Sequence, residues 1–228
     1  QFALFPNELE IREGRLKQQA ELLYRKHEKY WQAVDKNDVA LAFGHAADVV
    51  VLAAWRQDAE AFNEEYCRYL QRKHRAGADT PWFAGQIIMI ARNDYTLEVF
   101  NGDIGLIMPD AESANGLAAY FPNADGFKKI AISRLPQFDS AFAMTVHKSQ
   151  GSEYREVWLL PPSGKIEQGG DDALSGLNNA LLYTAITRAR ERFVFWGNEE
   201  QWRMAVETRK TRRTALGDIL DAMFVPKA

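Results

Sequence analysis

Two short polar segments hold the residues with the clearest chemical capacity: Gln150-Gly-Ser-Glu153 and Thr187-Arg188-Ala189-Arg190. The first follows a run, residues 141–146, that reads as a strand. A glycine just past a strand end lets backbone amides approach a phosphate or ribose with no Cβ in the way, and the glutamate two residues on can accept from a sugar hydroxyl. The same residues also make an ordinary turn glycine beside a solvated glutamate, and spacing alone does not separate the two. The second segment closes an otherwise apolar helix, residues 178–190. A helix C-terminus attracts cations, which accounts for an arginine there without any ligand. The chemical alternative is an arginine finger, a guanidinium that stabilises charge on a transferring γ-phosphoryl group. Position leaves open which of Arg188 and Arg190 would act.

Other chemistries find less support. His147 and Lys148 complete the strand end, but no second histidine or cysteine lies at metal-ligand spacing, so no protein-built metal site is expected. Ser149 lacks the Gly-x-Ser-x-Gly turn of a hydrolase nucleophile, and His27, His45 and His74 fall in helical segments. The phosphate loop Gly-x-x-x-x-Gly-Lys-Ser/Thr is absent from the sequence. Gly164-Lys165 lacks both the leading glycine and the hydroxyl residue.

The elements that must position these residues read as α/β. Residues 8–34 carry apolar side chains at helical spacing, and a second helix is predicted over 39–45. Asp48-Val-Val-Val-Leu-Ala-Ala-Trp55 is nearly continuous and apolar, as suits a strand buried on both faces of a parallel sheet. Arg56 and Gln57 follow, then a helix over 58–74, which gives the strand–loop–helix order of an α/β unit. Gly77-Ala-Asp-Thr-Pro81 reads as a linker. Short strands are predicted at 86–91, 97–100, 105–109, 117–121 and 128–132, with Asn101-Gly-Asp103 as a tight turn. Such a run inside an α/β chain suggests a small inserted β-barrel. The pattern then returns to α/β, with strands at 141–146, 156–160 and 192–196, a surface loop over 163–177, and a basic amphipathic helix over 199–224.

Composition bounds the partners. The 228 residues are 46% hydrophobic and 26% charged, ordinary for a soluble globular protein. A net charge of −3 argues against a generally basic nucleic-acid surface, so any DNA contact must be local. Two basic clusters, 68–75 and 203–213, offer such contacts or are solvated helix faces. The single cysteine, Cys67, forms no internal disulfide and suits a reducing, cytoplasmic location. No apolar run approaches the ~20 residues of a membrane span, so no membrane partner is expected. Gln1-Phe-Ala-Leu-Phe-Pro6 has neither a basic leader nor an initiator methionine, and is expected to be an internal cut of a longer protein.

Taken together, Met89-Ile-Ala-Arg-Asn-Asp94, Phe100-Asn-Gly-Asp-Ile-Gly105, Ser133-Arg-Leu-Pro136, Ala143-Met-Thr-Val-His-Lys-Ser-Gln-Gly-Ser-Glu153 and Leu182-Tyr-Thr-Ala-Ile-Thr-Arg-Ala-Arg190 resemble the RecD-like superfamily 1 DNA helicases. The last two are similar to helicase motifs V and VI, and the resemblance runs from about Val49 to Leu220. It implies a RecA-like motor domain, 2A, over 48–82 and 139–228, an SH3-like β-barrel, 2B, inserted at 83–138, and a helical segment over 1–47. It also implies roles. Arg188 is the finger of motif VI, and Arg56 reaches the γ-phosphate from motif IV. Gln150, Gly151 and Glu153 line the nucleotide, and Thr145, His147 and Lys148 contact DNA. The family uses ATP with Mg²⁺, whose ligands are expected in a second motor domain. It works on single-stranded DNA and duplex ends, in double-strand-break repair and recombination, beside the subunits RecB and RecC. Two alternatives stand beside that one: a free-standing RecD-like helicase, and a catalytically silent DNA- or subunit-binding module.

Overall fold

A computed structural model describes residues 5–76, 82–163 and 177–209. The expected linker at 77–81, nearly all of the expected loop at 163–177, and the second half of the expected basic helix lie outside the described residues.

Five parallel strands form the main sheet: β1 (Glu8–Ile11), β2 (Val49–Ala53), β8 (Ala143–Thr145), β9 (Tyr154–Leu160) and β10 (Ala189–Phe195), in the order β1-β10-β9-β2-β8. Every residue of β2 is buried, as its Val-Val-Val-Leu-Ala run requires of a strand covered on both faces. Helices α1 (Leu16–Lys26), α2 (Glu28–Asp35), α3 (Val39–Ala46) and α4 (Arg56–Arg72) belong to this body, and α4 turns Phe62, Tyr66 and Leu70 into its core. Two further helices, α5 (Asn179–Ile186) and α6 (Glu199–Glu207), lead into and out of β10.

Between α4 and β8 the chain makes a second sheet. Strands β3 (Gln86–Ile90), β4 (Ile104–Pro109), β5 (Leu117–Asn123), β6 (Gly126–Ala131) and β7 (Phe138–Ser140) pair antiparallel in the order β6-β5-β4-β3-β7. The period of two along a strand splits its apolar residues between two cores. Ile88, Ile90 and Ile107 close a small core of this sheet with Phe121 and Ile130, while Ile87, Met89, Leu106 and Met108 join the main core. Strands β3 and β4 of the inserted sheet are therefore buried on both faces. Gly85 fixes its entry: Tyr30 donates to the Gly85 carbonyl at 2.7 Å, and a Cβ at this position (φ +82°) would meet the Trp31 ring at 2.5 Å.

The structure corrects four readings of local pattern. Residues 8–11 are strand, not the start of a helix, because Glu8, Leu9, Glu10 and Ile11 alternate at strand period and edge the sheet beside β10. Arg192 on β10 pairs with both Glu8 and Glu10. The long N-terminal helix is also broken at His27, which caps both α1 and α2. Residues 97–100 form no strand beyond a bridge between Asp94 and Val99. There the Asp94 carboxylate accepts from the Thr96 and Leu97 amides at 2.9 Å each and holds a turn. Finally, α5 stops at Ile186 and β10 begins at Ala189, which leaves Arg188 in the connection between them.

Candidate functional site

Register along the parallel sheet decides which site residues can meet. Ala189 on β10 pairs with Tyr154 on β9, and the Tyr154 amide donates to the Arg188 carbonyl at 2.8 Å. Arg188 thus sits where β9 and β10 begin. Its guanidinium donates to the Ser152 carbonyl at 3.1 Å and to the Thr184 carbonyl at 3.3 Å. Arg190 pairs with Glu153 at 3.0 Å. The two segments, some 35 residues apart in sequence, are thereby joined at one edge. At this edge Gln150, Gly151 and Glu153 are exposed and Arg188 is half-buried. Gly151 adopts φ +88° with open space where a Cβ would be, so its backbone conformation, not crowding, calls for glycine. Among the described residues no carboxylate pairs with Arg188. Its charge is met only by carbonyl oxygens and the Thr187 hydroxyl, an arrangement that leaves capacity for an anion.

The opposite edge holds the other group. Ala53 on β2 pairs with Thr145 on β8 and with Leu160 on β9. Arg56, three residues past Ala53, begins α4, and Thr145 leads into a single 3₁₀ turn, Val146–Ser149. Arg56, Thr145 and Lys148 line one cleft of about 670 Å³ with Asn63, Glu60 and Asp139. Asn63 is its buried brace: the amide nitrogen donates to the carbonyls of Ser140 (2.8 Å) and Ala143 (2.9 Å), and the amide oxygen accepts from the Ala143 N–H at 2.8 Å. His147 is exposed on the 3₁₀ turn but does not line the cleft.

Arg56 and Arg188, both assigned to the γ-phosphate by the resemblance, emerge at different levels of the sheet. Tyr154 marks the level of Arg188 and Leu160 the level of Ala53. Six residues at ~3.3 Å each set the two edges about 20 Å apart. Arg56 instead hydrogen-bonds Glu60 at 2.6 Å and lies 3.8 Å from Asp139. Glu60 first, and Asp139 after it, push its guanidinium further above the usual arginine range. The order of elements along the chain was legible in the sequence, but the edge on which each connection emerges depends on register, which local patterning does not carry. Asp139 escaped notice for the same reason: Phe138-Asp-Ser140 has no motif, and pairing of β7 with β3 brings it to α4.

The arginines of the basic cluster at 68–75 are each paired with carboxylates of α4 or α2. Arg68 reaches Glu64 and Glu65, Arg72 reaches Glu65, and Arg75 forks onto Asp35. Of the cluster at 203–213, the part beyond Arg209 lies outside the described residues.

Residues 140–195 match the model of the UvrD-like helicase C-terminal domain. This stretch contains the whole of both segments that meet at the Arg188 edge. The RecBCD enzyme subunit RecD of Mycobacterium tuberculosis is 39% identical over 137 residues, 60% of this chain and 22% of that protein. Over that stretch the chain is similar to RecD. The Haemophilus influenzae RecBCD enzyme subunit RecD is 31% identical over 140 residues, 61% of this chain and 19% of that protein. The ATP-dependent RecD2 DNA helicase of Deinococcus radiodurans is 33% identical over 133 residues, 58% of this chain and 17% of that protein. The chain thus spans about a fifth of the length of the curated relatives it matches. Among solved structures, the Pif1 helicase from Candida albicans aligns over 86% of this chain and 58% of that one, at 14% identity and a TM-score of 0.46, too distant to bear on function. Among the described residues no helix is long and apolar enough to cross a membrane, and no group of three or more His, Cys, Asp or Glu could hold a metal ion.

Proposed function

We propose that this chain is part of an ATP-dependent 5′→3′ DNA helicase, the α subunit of an exodeoxyribonuclease V-type complex with RecB and RecC, acting in double-strand-break repair and recombination. The parallel sheet would be RecA-like motor domain 2A, comprising 48–82 and 139–228, behind a largely helical segment over 1–47. The antiparallel sheet at 83–138 would be an SH3-like barrel, 2B. Its order, with β7 returning beside β3 after a single 3₁₀ turn (Ile132–Arg134), supports that reading. The RecD and RecD2 relatives support the helicase class.

One observation carries the nucleotide assignment. Arg188 is half-buried at the edge it shares with Gln150, Gly151 and Glu153, with no carboxylate partner among the described residues. A charge so placed suits the γ-phosphate of ATP, and the open, left-handed Gly151 leaves room for a ligand beside it. Arg188 would act as the finger, and Arg190 would orient Glu153. The Mg²⁺ ligands and phosphate loop would come from a second motor domain, and the metal would neutralise charge developing on the phosphates. At the other edge Thr145, His147 and Lys148 would follow a single strand's backbone. Arg56, which the resemblance assigns to the γ-phosphate, lines the same cleft as Thr145 and Lys148 and on that ground would act with them.

Single-stranded-DNA-stimulated ATP hydrolysis by the intact protein, wild type against Arg188→Ala, tests the reading. A fall in kcat of at least ~100-fold with DNA binding retained is expected. Unchanged hydrolysis would make Arg188 a helix-end residue, and no hydrolysis by the wild type would bring the silent binding module forward.

A further inference from the structure

The cations at the DNA edge already share a partner. Arg56 Nη2 and Lys148 Nζ both lie 3.8 Å from the same oxygen, Asp139 Oδ2. That spacing is longer than a hydrogen bond, so one anionic oxygen sits loosely between two positive groups on separate elements. Arg56 is 69% exposed, Asp139 37% and Lys148 36%, so water and ligands reach all three. The other carboxylates of the cleft differ in kind. Glu60 pairs with Arg56 within one helix, four residues away, and Glu64 pairs with Arg68 on the same helix. Asp139 alone bridges both cations, and it comes from β7, the strand that ends the inserted sheet.

We propose that Asp139 is the displaceable counter-ion of the DNA track: its carboxylate stands in for a strand phosphate between Arg56 and Lys148, and is exchanged for one when single-stranded DNA enters the cleft. The inference rests on the reading of this cleft as the DNA-backbone site. Exchange has two consequences. Entering DNA must break a contact already made, so Asp139 lowers affinity and speeds release, as suits a strand that has to be gripped and let go repeatedly. It also lowers salt sensitivity, because its charge cancels part of the positive charge with which the cleft displaces counterions from the DNA. Since Asp139 lies on β7, displacing it also removes a tie from the inserted sheet to α4 and to the Val146–Ser149 turn.

Fluorescence anisotropy of labelled oligo-dT with the intact protein, across a salt series, tests the exchange. Asp139→Asn keeps the shape and removes the charge, and should tighten binding by roughly 3- to 10-fold, the effect of two exposed ion pairs. It should also steepen the dependence of log Kd on log salt. Asp139→Ser should do the same, which guards against an effect special to the amide, and neither variant should lower the melting temperature. Lys148→Ala should weaken binding, and Glu64→Gln, in the same cleft without contact to either cation, should change it by less than about twofold. If Lys148→Ala weakens binding while Asp139→Asn leaves it unchanged, the cleft remains the DNA track and the counter-ion role is overturned. If Glu64→Gln tightens binding as much as Asp139→Asn, the effect is net charge alone and the role is again overturned. If Arg56→Ala, Lys148→Ala and Asp139→Asn all bind as wild type, the DNA assignment fails and the counter-ion role falls with it.

Discussion

His27 closes α1 with its ring wholly buried, its Nε2 lying 3.0 Å from the Val49 carbonyl oxygen at the start of β2. Donation from Nε2–H to that carbonyl fits a neutral ring. Burial disfavours the imidazolium and lowers the pKa to about 4, and the Val49 hydrogen bond only partly opposes this. The sign of the pH effect follows. Above pH ~6.5 the ring is neutral in folded and unfolded chain alike, so the histidine adds no pH dependence. Between ~6.5 and ~4 the unfolded chain takes a proton that the folded chain refuses, and stability falls as pH drops, by about 3 kcal/mol in all. Urea titrations from about pH 7.5 to 4.5 should show this fall in the wild type and a flatter profile for His27→Gln, although that variant starts less stable at neutral pH. Parallel profiles would assign the acid response to other groups.

Asn63 shows how one side chain can join elements far apart in sequence. It stands on α4 and closes three hydrogen bonds across the point where β7 of one sheet hands over to β8 of the other. Asn63→Ala would strand a buried N–H and remove a donor from two carbonyls. At ~1–3 kcal/mol for each unsatisfied buried group, a loss of about 2–4 kcal/mol is expected in chemical denaturation. A loss below about 1 kcal/mol would mean that water replaces the clamp. The elements joined here were legible wherever a local period marks them. Val49 to Leu52 announced a buried strand, and the helix expected over 58–74 after it is α4. Where side chains capture the backbone, or a strand is only four residues long, the pattern misled. Asp94 converted an expected strand into a turn, and the edge strand β1 was hidden inside a helical spacing. The pairing of the Arg188 turn with Gln150–Glu153 was legible only through the resemblance, because the contact is made by backbone groups of Ser152 and Tyr154 that carry no sequence signature.

The whole molecule places its two chemically able groups at opposite ends of one parallel sheet, and a single stretch of chain runs between them. After Thr145 at the end of β8, residues 146–153 return to the start of β9 and carry Lys148 near one edge and Gly151 and Glu153 at the other. Under the proposed function this return segment is the shortest covalent route from the DNA track to the nucleotide. Coupling between two bound ligands is commonly worth ~1–3 kcal/mol and must be equal in both directions. Gly151→Ala probes it without filling any space, since no atom lies within 4 Å of the added Cβ; the cost is the left-handed backbone at φ +88°, about 1–2 kcal/mol, which the turn relieves by shifting. The intact variant should therefore bind oligo-dT normally in the absence of nucleotide. The change in Kd that a non-hydrolysable ATP analogue produces in the wild type should shrink toward none. Arg56→Ala should behave in the opposite sense, weakening DNA equally with and without the analogue, because it removes a contact at one end and leaves the segment intact. If Gly151→Ala keeps the nucleotide effect on DNA affinity, the coupling runs through the sheet and its helices instead. In that case Arg188 and the DNA edge communicate as parts of one rigid body that closes on a second motor domain.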